Sequence, residues 1–126
     1  MSERTLQLGR SGEELAEVFL KKSGYKILAR NYKTKLGEVD IIAREKDCIC
    51  FIEVKARNTA DFGLPKEAVC ARKQRQISKA ALVYLKDNKL LDKSARFDVV
   101  SVLLDGSSPK IELIRNAFEL DSSFAY

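Results

Sequence analysis

Apolar positions change period several times along this chain, and each change marks an element. Leu15, Ala16, Phe19 and Leu20 recur at the spacing of one helical face, and Ser23-Gly24 closes that run. The start of this helix is open between two readings. Ser11 with Glu14 makes a capping box, whereas Leu8 and Gly12 extend the apolar stripe back towards Thr5. Tyr25 to Tyr32 reads as a strand, followed by the polar turn Lys33-Thr34-Lys35. Gly37 to Ala43 and Cys48 to Lys55 are two β-branched, apolar runs joined around Lys46-Asp47, the pattern of a hairpin. Ala56 to Pro65 forms a loop containing Asn58, Asp61 and Gly63, and Pro65 suits the first turn of a second helix. That helix is predicted from Lys66 to Lys86, with Val69, Lys73, Ile77, Ala80, Ala81 and Tyr84 along one side, ending at Asp87-Asn88-Lys89. Arg96 to Leu104 is a further strand, stopped by the segment Asp105 to Pro109, and Lys110 to Ile114 is a short last one.

The order is α-β-β-β-α-β with a short strand added at the end. Three meandering strands, a helical crossover and a further strand imply an α/β fold with a mixed central sheet flanked by helices. A length of 126 residues fits a single domain spanning 1–126. No apolar run approaches the roughly 20 residues needed to span a bilayer. The start Met1-Ser2-Glu3-Arg4-Thr5 lacks a basic and then apolar leader, so a cytoplasmic location is expected.

The hairpin also carries charge where its apolar neighbours would exclude it. Asp40, Glu53 and Lys55 lie inside runs whose two faces are both apolar, and a buried carboxylate left unpaired costs several kcal/mol. Alternate residues of a strand share a face, so Glu38 points with Asp40 and Glu53 with Lys55. One hairpin register sets Asp40 beside Glu53. Two carboxylates so placed repel unless a cation lies between them, and Mg²⁺ or Mn²⁺, with hard-oxygen preferences, suits the pair. A lysine at the rim would stabilise a phosphoryl transition state or position attacking water. The pattern points to metal-assisted hydrolysis of a phosphodiester, with Asp40, Glu53 and Lys55 as the catalytic set and Glu38 as a further possible ligand.

Composition narrows the chemistry. There is no histidine, which removes Ser-His and Cys-His catalysis and histidine-bound zinc. The cysteines Cys48, Cys50 and Cys70 form no Cys-x-x-Cys pair, and the first two read as small buried hydrophobes. A formal net charge of +5 is compatible with a polyanionic partner.

Six ordered pieces carry a resemblance over nearly the whole chain. They are Gly12-Glu13 with Ala16, Gly24-Tyr25 with Arg30-Asn31, Gly37-Glu38-Val39-Asp40, Glu53-Val54-Lys55 with Arg57, Ala68 with Lys73, and Arg96-Phe97-Asp98-Val99-Val100. With them the chain resembles the YraN-type family of small bacterial predicted endonucleases. That family lies within the PD-(D/E)XK, or restriction-endonuclease-like, superfamily and is distantly similar to archaeal Holliday-junction resolvases. The resemblance implies a restriction-endonuclease-like core with Asp40 and Glu53 binding a divalent metal, Lys55 catalytic and Glu13 the helix-one acid that completes the site. Val39 stands where the superfamily motif is named for proline.

On the second helix, Arg72, Arg75 or Gln76, Lys79 and Lys86 recur at helical spacing, with Lys66 and Lys73 nearby. In a nuclease fold this run, together with Arg57, becomes a phosphate-contacting stripe for DNA or, alternatively, RNA. Lys73 lies on the apolar side and is placed to reach the active site. Asp98 is expected to pair with Arg96 in a structural role, and Tyr25, Tyr32 and Tyr84 to pack. No residue pattern suggests base readout, so cutting selective for branches, flaps or nicks is the expectation, and a homodimer would allow paired cuts. The alternative is a non-catalytic nucleic-acid-binding module on the same fold.

Overall fold

Charged turns and apolar strands resolve into one sheet with a helix on each face. The computed structural model describes residues 3–57, 70–104 and 108–119, with side chains of the first helix described from residue 12 onward. The elements are α1 (Glu3–Lys22), β1 (Lys26–Lys33), β2 (Glu38–Glu45), β3 (Cys48–Arg57), α2 (Ala71–Asp87), β4 (Ser94–Leu103) and β5 (Lys110–Phe118). The five strands lie side by side in chain order. β1, β2 and β3 meander antiparallel, β3 and β4 run parallel across the α2 crossover, and β5 returns antiparallel. This is the expected α-β-β-β-α-β order with β5 added, an α/β fold consistent with a nuclease-like core.

Three boundaries differ from expectation. α1 begins at Glu3, so Ser11 lies inside the helix and the longer apolar stripe outweighs the capping box. Cys70 is extended at the N-cap of α2 (φ −70°, ψ 165°), which starts the helix at Ala71 rather than Lys66. The loop residues Asn58, Asp61, Gly63 and Pro65, with Lys66 and Val69, lie outside the described residues, as does part of the Asp105–Pro109 stop. β5 runs on to Phe118 because Ala117 and Phe118 pack against the core on the α2 face.

Alternation along β3 divides the core. Ile49 and Phe51 face α2, where Ile77, Ala80, Ala81 and Leu85 cover them with Phe97 and Val99. Cys50 and Ile52 face α1, packed with Ala16, Leu20, Val100 and Val102. A strand covered on both sides is apolar at consecutive positions, which is why the hairpin sequence shows no clean alternation. Tyr32 and Phe51 both meet the Tyr84 ring edge to face, at centroid distances of 5.3 and 6.0 Å.

Two glycines set how closely the helices sit. A Cβ on Gly37 would lie 2.2 Å from the Gln76 carbonyl oxygen, so only glycine lets α2 press against the start of β2. A Cβ on Gly12 would come within 2.6 Å of the Ala56 Cβ, so α1 rests directly on β3. Both contacts lie at the end of the sheet where β2 starts and β3 finishes.

Candidate active site

The β2–β3 hairpin turns on Lys46-Asp47, with Lys46 at φ 56°, and this fixes the register as Ile41 opposite Ile52. One step further, Asp40 stands opposite Glu53. The backbone N–H of Val54 donates to Asp40 Oδ2 at 2.8 Å, tying the two strands at this point. Across β1, Asn31 occupies the place facing Asp40 between the pairs Arg30–Ile41 and Tyr32–Val39, and adopts φ 50° there. Asparagine tolerates that left-handed conformation better than most residues.

Glu53 is buried (4 % exposed) at the centre of β3, directly after the apolar run Cys48–Ile52. Lys73, from the first turn of α2, places Nζ 3.6 Å from its Oε1. Its Oε2 is enclosed and has no hydrogen-bond partner. Burial, and next the negative charge of Asp40, push the Glu53 carboxyl up to about 7 against the opposing pull of Lys73 and Lys55. Burial likewise raises Asp40, although the Val54 N–H and Lys73 partly offset it. Glu13 on α1 is raised too, by burial first and then by Asp40 and Glu38, while Asn31 and Lys33 oppose. A pocket of about 200 Å³, lined by Glu13, Glu17, Arg30, Asn31 and Asp40 among others, opens beside this cluster.

The expected residues therefore separate into groups. Asp40, Glu53 and Lys73 converge, and Lys55, on the face shared with Glu53, completes the positive side. Glu13 and Glu38 lie near enough to act on the same field. Among the described residues, though, no three acidic or thiol groups form a ready-made cation cage. The donors present still suit a hard divalent ion. Mg²⁺ takes one or two carboxylates and fills its remaining positions with water and phosphate oxygens, and the partnerless Glu53 Oε2 is a donor with nothing to satisfy it. Arg72 and Arg75 are exposed on α2, whereas Lys79 is half-buried. Arg57 ends β3, its carbonyl accepting the Leu104 N–H at 2.7 Å.

A second charged cluster extends from Asp98, paired with Ile52 at mid-sheet, towards the end where β2 finishes and β4 starts. Asp98 is fully buried and satisfied on both oxygens. Arg96 Nε donates to Oδ1 at 2.9 Å, the Tyr25 hydroxyl to Oδ2 at 3.0 Å, and the Asn116 N–H to Oδ1 at 2.9 Å. Arg96 also reaches Glu45 at 2.9 Å, and Glu45 accepts from Arg115 at 2.8 Å. The Arg96–Asp98 pair was legible in the sequence. Tyr25 as a hydrogen-bonding member, and Glu45, Arg115 and Asn116, were not, because they come from three other strands or their flanks.

A small α/β protein with a carboxylate pair on neighbouring antiparallel strands and lysines beside it is the class that fold and site define. The chain belongs to the uncharacterised protein family UPF0102, whose model matches residues 12–102. It is 52 % identical over 113 residues to a UPF0102 protein of Desulfosudis oleivorans, covering 90 % of each chain. A UPF0102 protein of Geobacter metallireducens is 50 % identical over 120 residues, covering 95 % of this chain and 98 % of its own. One from Desulforapulum autotrophicum is 43 % identical over 121 residues, 96 % of this chain and all of its own. Among the described residues no helix is long and apolar enough to cross a membrane.

Proposed function

We propose that this protein is a Mg²⁺- or Mn²⁺-dependent endonuclease that hydrolyses phosphodiester bonds in DNA, selecting branched, flapped or nicked structure over sequence. The observation that carries this reading is the pairing of half-buried Asp40 with buried Glu53, whose Oε2 lacks a partner and which has lysine charge close by. A structural ion network ends with its oxygens satisfied; this pair does not.

Asp40 and Glu53 would hold the cation, with Glu13 or Glu38 as the next carboxylate. When bound, the divalent ion lowers the pKa of a coordinated water and neutralises charge on the scissile phosphate. Asp40, fixed by the Val54 N–H, is oriented without cost in side-chain entropy at the time of reaction. Lys55 and Lys73 supply positive charge for the developing phosphorane-like state from the α2 side. Arg57, Arg72, Arg75 and Lys79 belong to the strand end and helix that flank the cluster, where they would track the duplex backbone.

The test is cleavage of branched, flapped and nicked duplexes with Mg²⁺ or Mn²⁺, comparing wild type with Asp40→Ala, Glu53→Ala and Lys55→Ala. Product from the wild type, lost in all three folded variants, is the expected result. A Glu53→Ala variant as active as wild type would overturn the assignment. Salt-sensitive DNA binding without any product would instead favour a non-catalytic binding module.

A further inference from the structure

Lys73 already stands against one of the two carboxylates that a cation would engage. Its ammonium is 3.6 Å from Glu53 Oε1, and its side chain is about one-third exposed while that of Glu53 is nearly enclosed. Its backbone has little freedom to move aside. Gln76, one turn along α2, packs its carbonyl onto Gly37 so closely that a methyl group would not fit. The helix is thus pinned to the strand that carries Asp40, and only the flexible stem of Lys73 is left to swing.

We propose, building on the nuclease reading, that Lys73 is a built-in counter-ion of the metal-free site, and that it makes metal and phosphate binding mutually dependent. Without substrate, the Lys73 ammonium neutralises Glu53 and opposes entry of a second cation. A DNA phosphate at the mouth of the site offers the ammonium another partner. Drawn to it, Lys73 leaves Glu53 to the metal and clamps the phosphate instead. Two ligands that relieve one shared obstacle must bind with positive coupling, and linkage makes that coupling reciprocal. Arg72 and Arg75, exposed on the same first turns, would collect the phosphate that triggers the exchange.

The experiment is calorimetric titration of Mn²⁺ into wild type, Lys73→Met, Lys73→Arg and Asp40→Asn. Each is run alone and with a cleavage-resistant phosphorothioate duplex, and thermal unfolding verifies the fold of each protein. With a positive charge about 4 Å from a ligand oxygen, removing it in Lys73→Met should tighten Mn²⁺ binding without DNA by roughly tenfold or more. The duplex should tighten Mn²⁺ binding to wild type by about 5- to 150-fold and should have little effect on Lys73→Met. Lys73→Arg, which keeps the charge, should retain weak binding without DNA. Equal Mn²⁺ affinity in wild type and Lys73→Met, with the same gain from DNA, would overturn the counter-ion role and leave the nuclease reading standing. No saturable binding by wild type under either condition, or binding unchanged in Asp40→Asn, would overturn both.

Discussion

Two charged clusters centre on Glu53 and Asp98, one step apart in the register of β3 and β4, and extend towards opposite ends of the sheet; they differ in how completely they are satisfied. Midway along β4, Asp98 has a donor for each oxygen, and Arg96 binds four partners, Asp98, Glu45, Tyr25 and Cys50. Midway along β3, Glu53 has one lysine at the edge of ion-pair distance and an oxygen with no partner. Both sets contain strand carboxylates with apolar neighbours, so burial alone does not separate structure from function. What separates them is the hydrogen-bond account. Closed networks rigidify a core, whereas a half-open one stores binding capacity for a ligand.

Substitutions at the two ends should therefore have opposite consequences. Asp40→Ala or Glu53→Ala should lower cleavage by roughly a thousandfold or more while leaving the fold intact. Stability of Glu53→Gln should equal or exceed that of wild type at neutral pH, since the change removes repulsion from Asp40. Asp98→Ala should cost about 3–5 kcal/mol, because it leaves Arg96 and the Tyr25 hydroxyl partly unpaired in the interior. Urea unfolding alongside an activity assay checks both. An inactive but fully stable Asp98→Ala variant would erase the distinction.

Acid and base should also act on the two ends with opposite sign. Glu45 is held down at about 2, first by its hydrogen bond from Arg115. Its contribution is therefore present above the unfolded value of 4.5 and fades as pH falls from there towards 2. Glu53 in the metal-free protein is pushed the other way, to about 7. Between 4.5 and 7 the folded state keeps a proton that the unfolded state has released, so stability falls as pH rises through that window and levels above it. Thermal unfolding in chelator across pH 2–8 should show both slopes. Glu53→Gln should flatten the upper one and leave the acid limb unchanged.

Much of this was legible before any coordinates. The strand and helix order came from period changes, and the Asp40–Glu53 pairing was one of the registers open to the hairpin. Lys73 was placed near the site by its position on the apolar side of α2. What was hidden depended on contacts distant in sequence. Nothing local marks Gly37 as the seat of Gln76, or assigns Glu45 to two arginines on β4 and β5. The start of α1 was ambiguous because a capping box and an apolar stripe competed, and the helix in fact runs through Ser11 from Glu3. Asn31 read as an ordinary strand residue and Asn116 lay beyond the last expected strand, yet both take positive φ opposite an aspartate of the neighbouring strand.

The glycine seat gives a smaller effect, specific to the site end. Gly37→Ala should cost about 1–3 kcal/mol, since the added methyl meets a helix carbonyl rather than a flexible side chain. It should also slow cleavage, because relief requires α2 to shift and Lys73 moves with it. The measurement is stability together with the rate at saturating substrate. Wild-type values for both would mean that the helix has slack here.

The weakest expected effect concerns the surfaces rather than the cores. Arg72 and Arg75 are exposed on α2 at the site end, while Arg115 at the other end is engaged by Glu45 through two hydrogen bonds of 3.2 and 2.8 Å. An arginine already neutralised by a carboxylate releases few counter-ions on binding a phosphate, so the charge count alone overstates its worth to DNA. Arg72→Ala and Arg75→Ala should each reduce the salt-dependence slope of duplex binding by about one, across sequences alike. Arg115→Ala should leave that slope unchanged and lower stability only slightly. Fluorescence anisotropy between low and moderate salt distinguishes the three, and an equal loss from Arg115→Ala would place the DNA over the closed network instead of the open site.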